Sequence, residues 1–81
     1  MHELGIAMEI AELAAERAGD AQICRVVVEI GTLAAVVPDA LAFAWECMET
    51  GAELEIVAIA NTDDLRIRQL EVRDVRDVRL L

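Results

Sequence analysis

With 81 residues, a net charge of −9 and 57% hydrophobic residues, the chain has the material for one small domain with a largely aliphatic core. Residues 1–64 carry 13 acids against 2 arginines, and residues 65–81 carry 3 acids against 5 arginines, so the acidic bulk repels a phosphate backbone and a nucleic-acid partner is excluded. Serine, lysine and tyrosine are absent and His2 is the single histidine, which removes a serine triad, a Schiff-base lysine and a phosphate-cradling lysine loop; an enzyme is not expected.

The first element expected is a helix over Leu4 to Ala18, where Leu4, Ala7, Met8, Ala11, Ala14, Ala15 and Ala18 recur at three- and four-residue steps. Ile10 and Leu13 widen that stripe, Glu9, Glu12 and Glu16 form a solvated face, and Gly19-Asp20 ends it. Ile23 to Ile30 is β-branched and alternating, with Cys24, Val26, Val28 and Ile30 on the face expected to be better buried. Gly31 breaks the strand, and Thr32–Val37 connects it to a second helix that starts at Pro38 with Asp39 beside it. That helix presents Leu41, Ala44, Trp45 and Met48 at core spacing, and its natural stop is Gly51. Both aromatics, Phe43 and Trp45, are expected in the core.

Ala52 to Ile59 predicts a second strand, and Asn61-Thr62-Asp63-Asp64 a turn of the kind that joins adjacent antiparallel strands. Leu65 to Val72 predicts a third, whose apolar face switches between Leu65/Ile67 and Leu70/Val72; a bulge near Arg68-Gln69 would restore the register. The repeat Val72-Arg73-Asp74, Val75-Arg76-Asp77, Val78-Arg79 has a three-residue period, which suits an extended tail. The expected fold is therefore α+β: two helices packed on one face of a small three-stranded sheet, in the order α-β-α-β-β. One domain spans 1–81. Alanine-rich packing buries little area per residue, so a homodimer is an expected way to cover an apolar face.

No apolar run approaches the ~20 residues needed to span a bilayer. The N-terminus carries Glu3, Glu9 and Glu12 instead of a basic leader, and the cytoplasm is the expected location. Cys24 and Cys47 are too few and too far apart for a disulfide scaffold and are expected to be small buried residues.

One place could carry chemistry. His2 and Glu3 lie next to the α-amine of Met1, whose reference pKa of about 7.7–8.0 lets a competent metal displace its proton near neutral pH. An imidazole, an amine and nearby amide nitrogens form the planar nitrogen set that Ni(II) or Cu(II) favours, with Glu3 able to add charge or a weak oxygen ligand. Taken alone, the pattern is also that of a solvated terminal histidine.

Five blocks of sequence add to it. Met1-His2-Glu3-Leu4-Gly5-Ile6-Ala7, Arg25-Val26-Val27-Val28-Glu29-Ile30-Gly31-Thr32-Leu33, Pro38-Asp39-Ala40-Leu41-Ala42-Phe43-Ala44-Trp45-Glu46, Gly51-Ala52-Glu53-Leu54-Glu55-Ile56 and Asp64-Leu65-Arg66-Ile67-Arg68-Gln69-Leu70-Glu71-Val72 resemble, in order, motifs of the HypA/HybF family of hydrogenase nickel-incorporation proteins. The resemblance implies Ni(II) held by Met1, His2 and Glu3 through the imidazole and adjoining backbone nitrogens. It implies delivery to the large subunit of [NiFe]-hydrogenase together with a maturation GTPase.

The chain departs from the family where a zinc lobe with two CxxC pairs is inserted between the second and third strands. Here Ile59-Ala60 runs into Asn61-Thr62 with no CxxC. The lobe is missing between about 60 and 61, and structural zinc is not expected. The alternative reading is a non-metal-transferring interaction module, or paralogue, that keeps the fold and partner surface without delivering nickel.

Overall fold

The computed structural model describes residues 2–73. Helix α1 (Glu3–Ala18) leads into strand β1 (Gln22–Gly31), followed by helix α2 (Pro38–Cys47) and strands β2 (Glu53–Ile59) and β3 (Leu65–Arg73). β1 is central in a β2-β1-β3 sheet, parallel to β2 and antiparallel to β3. A parallel pair needs a long crossover, and α2 supplies it.

Both helices cover one face of the sheet. Ile6, Ala7, Ile10 and Ala14 of α1 and Leu41, Ala44 and Trp45 of α2 meet Val26, Val28 and Ile30 of β1 and Ile67 of β3 in a single core. The helices lie side by side in the same direction. At one end the Val37 amide, just before α2, donates to the Glu3 carboxylate at the start of α1, at 3.3 Å. Towards the other end, Ala11 and Ala14 share a small cavity with Trp45. The Trp45 indole Nε1–H donates to the Ala52 carbonyl at 2.8 Å, tying the end of α2 to the residue before β2 and leaving no buried donor unmet.

Several details depart from the sequence reading. The buried stripe of α1 is turned away from Leu4 and Met8, both about half exposed, and Phe43 on α2 is more exposed still. α2 stops at Cys47, four residues before Gly51, and Glu49 takes the left-handed conformation there with φ 52°. Cys24 and Cys47 are both exposed. For Cys24 the cause is a register shift against β3 between Ile23 and Arg25, which turns Ile23, in place of Cys24, towards the core. The anticipated bulge is present, since Val27 pairs with Gln69 but Val28 pairs with Ile67, so Arg68 is the extra residue.

The turn after β2 does not join neighbours. β2 and β3 flank β1, so residues 60–64 cross the end of the central strand. Three backbone bonds hold the crossing: Gly31 N–H to the Asp64 carbonyl (2.8 Å), Thr32 N–H to Ile59 (2.9 Å) and Leu33 N–H to Thr62 (2.9 Å). The Asn61 amide donates to the Thr32 hydroxyl at 3.1 Å, and Asn61, at φ 62°, tolerates the left-handed turn better than most residues. Gly31 is required by this close approach, because a Cβ there would sit 1.9 Å from the Thr62 carbonyl oxygen. β3 continues through Arg73, one residue past the expected strand; the rest of the repeat expected to form an extended tail, residues 74–81, lies outside the described residues.

Candidate metal centre

The expected site is at the start of α1. His2 is the N-cap residue, extended at φ −98° and ψ 119°, and its side chain makes no capping bond. The imidazole is exposed and free to turn towards a ligand. Its backbone carbonyl accepts the Ile6 N–H at 3.3 Å, so the helix is anchored at this residue. The first N–H groups of a helix have no partner inside it. A metal ion can therefore take the place of an amide proton here without breaking the helical ladder.

Glu3 has a different position from that of a loose ligand. Its Oε2 accepts the Val37 N–H from the start of α2, and this bond, followed by one from its own backbone N–H, holds its carboxyl below the usual glutamate range. Glu3 thus clasps the two helix starts together beside His2. The sequence offered no sign of that contact, because it joins residues 34 positions apart. Met1 lies outside the described residues. Among the described residues, no three His, Cys, Asp or Glu side chains cluster so as to hold a metal ion, and none of their helices is long and apolar enough to cross a membrane.

Comparison with known proteins places this geometry in a family. The family described as "Hydrogenase/urease nickel incorporation, metallochaperone, hypA" matches residues 1–73. The hydrogenase maturation factor HypA of Trichodesmium erythraeum is 44% identical over 71 residues, covering 82% of this chain and 62% of that protein. The corresponding factor of Crocosphaera subtropica is 42% identical over 78 residues, 90% of this chain and 68% of the relative. For that of Nostoc sp. the figures are 40% over 55 residues, 68% and 49%. The chain spans about half the length of several of the relatives it matches. The solution structure of the Ni metallochaperone HypA from Helicobacter pylori superimposes with a TM-score of 0.76 over 91% of this chain and 99% of that one, at 21% identity, and so supports the two-helix, three-stranded fold. With the family match running from the first residue to the end of β3, the chain belongs to the HypA family of hydrogenase and urease nickel-incorporation metallochaperones.

Proposed function

We propose that this chain is a non-enzymatic nickel carrier for hydrogenase maturation, taking Ni(II) as cargo at Met1, His2 and Glu3. The observation that carries the reading is the free, exposed imidazole of His2 at the N-cap of α1, next to first-turn amides that the helix leaves without partners. Electrostatics favour amide nitrogens over further neutral donors. A helix N-terminus carries about half a positive charge and opposes a bare cation. Each amide that gives up its proton to the metal cancels one unit of its charge, so two amides leave a Ni(II) complex with no net charge. The α-amine and the imidazole complete a planar nitrogen set of the kind Ni(II) prefers. Glu3 contributes its backbone nitrogen, while its carboxylate holds the site against α2.

Such binding releases protons, so affinity rises with pH. Titration of untagged protein with Ni(II) tests the assignment. His2→Ala, or any residue added before Met1, is expected to weaken binding by at least about 100-fold, ~2.7 kcal/mol. Equal affinity in wild type and His2→Ala would sink the proposal.

Family membership supports delivery as part of the proposal: a maturation GTPase and the large subunit of [NiFe]-hydrogenase are the proposed partners, and the cytoplasm the proposed setting. By the resemblance, residues 60–64 stand where the family inserts its zinc lobe, and the proposal assigns no zinc to this domain. A second reading, an interaction module that transfers no metal, is favoured by the apolar outer surface of the helices. Pull-down of the GTPase or a hydrogenase subunit by His2→Ala protein, with no difference in hydrogenase activity between wild type and variant, would favour it.

A further inference from the structure

The outer side of the helix layer carries an apolar seam that the fold does not use. On α1 the flank of Ala11 and Ala14 faces Trp45 of α2, and Leu4, Met8 and Ala15 follow Ala11 at helical spacing on the upper edge of that flank. On α2 the flank of Ala42 and Glu46 faces the start of β2, so Ala40, Phe43 and Cys47 occupy the opposite flank, towards α1. These two rows border one groove. Within it Leu4 is 51%, Met8 50% and Phe43 67% exposed. Solvent-facing rows with no charge, topped by three large apolar side chains, mark a contact surface more than a solvated one.

Charge identifies the occupant. Glu12 borders the seam from α1, and Asp39 borders it from α2. α2 contains no basic residue, and the single arginine of α1, Arg17, turns inward to donate to the Ile67 carbonyl at 3.4 Å. Neither Glu12 nor Asp39 joins an ion pair among the described residues. A second copy brought face to face would oppose acid with acid. An anionic membrane surface would be repelled in the same way. We infer that this seam docks an amphipathic helix of a partner protein, with leucine-type side chains entering between α1 and α2 and lysine or arginine on its flanks. Leu4 directly follows the proposed nickel residues, so a helix seated here lies alongside the metal.

The test uses a fluorescent 18-residue leucine/lysine amphipathic helix, its leucine/glutamate analogue, and the full chain. The lysine peptide is expected to bind, more weakly as salt is raised, and the glutamate analogue at least tenfold less well. Met8→Gln with Phe43→Gln, and Phe43→Ala alone, should each weaken binding at least tenfold with the melting temperature unchanged, since both side chains are exposed. Lysine-peptide binding that these variants leave intact overturns the proposal, as does equal binding of the glutamate peptide. Three results would overturn it by giving the seam another occupant. These are a dimer by sedimentation that the double variant abolishes, capture of phosphatidylserine vesicles that it abolishes, and tenfold tighter peptide binding in Arg76→Glu/Arg79→Glu protein. His2→Ala protein is expected to bind the peptide as wild type does, so failure of the nickel assignment and failure of this one are read separately.

Discussion

On the open face of the sheet, Arg25 of β1 pairs with Glu55 of β2 and reaches Glu71 of β3 at 3.5 Å, while Glu29 accepts from Arg66 at 2.8 Å and lies 3.8 Å from Arg68. The strands hold four acids and four arginines, and Val27, paired with Glu55 and Gln69 on the neighbouring strands, keeps only 6% of its surface exposed. The two helices hold six acids and one arginine, with Leu4, Met8 and Phe43 standing in solvent. One face of this domain is closed by its own charges and the other is left apolar and acidic. A sheet face sealed by cross-strand pairs satisfies itself, whereas an uncovered helix face with one sign of charge is suited to a complementary partner.

The difference can be attacked first through the core that both layers share. Leu41 is fully buried, and Leu41→Ala should cost about 2–5 kcal/mol in urea unfolding; a loss near zero would mean that α2 is not held against the sheet as described. Next is the crossing that lets β2 and β3 flank β1. Gly31→Ala places a methyl group against the Thr62 backbone and is expected to cost about 1–3 kcal/mol by the same measurement, with the crossing as the part that gives way.

Smaller effects separate the two outer faces. Glu29→Gln removes the centre of the sheet's ion-pair row, and its melting temperature should fall by about 3 °C at low salt and by less in 1 M NaCl, because exposed pairs are screened. Among the described residues, Glu3 is the carboxylate that joins the two helix starts, and its pKa is lowered. A lowered folded pKa contributes stability above the unfolded value of 4.5 that disappears as pH falls through the folded value. The melting-temperature gap between wild type and Glu3→Gln should therefore be present at neutral pH and close below about pH 4.5; a gap independent of pH would detach the carboxylate from that role.

Element order and type were legible along the chain because each signal is local. Pro38 marks the first turn of α2, the 41-44-45-48 spacing marks its core stripe, and the change of face between Ile67 and Leu70 marks the bulge at Arg68. The face of α1 was harder to read. Alanine dominates that helix, so several stripes of similar hydrophobicity compete, and only packing against α2 and β1 selects Ile6-Ala7-Ile10-Ala14 over the row containing Leu4 and Met8. Cys24 was assigned to the wrong side because the bulge that turns it outward lies in the pairing with β3, some 48 residues away.

What the sequence determined by itself was the set of elements, their periodicity and the resemblance that points to Met1-His2-Glu3, all properties of neighbouring residues. Tertiary structure decided the rest. It set β1 between β2 and β3, which no turn signal encodes, because strand order depends on the crossover made by α2. It brought the Val37 amide to Glu3 and so fixed the approach to the proposed nickel site. It also left Leu4, Met8 and Phe43 in solvent, since burial in a two-layer domain is settled by which flank meets the sheet and not by the hydrophobicity of the side chain.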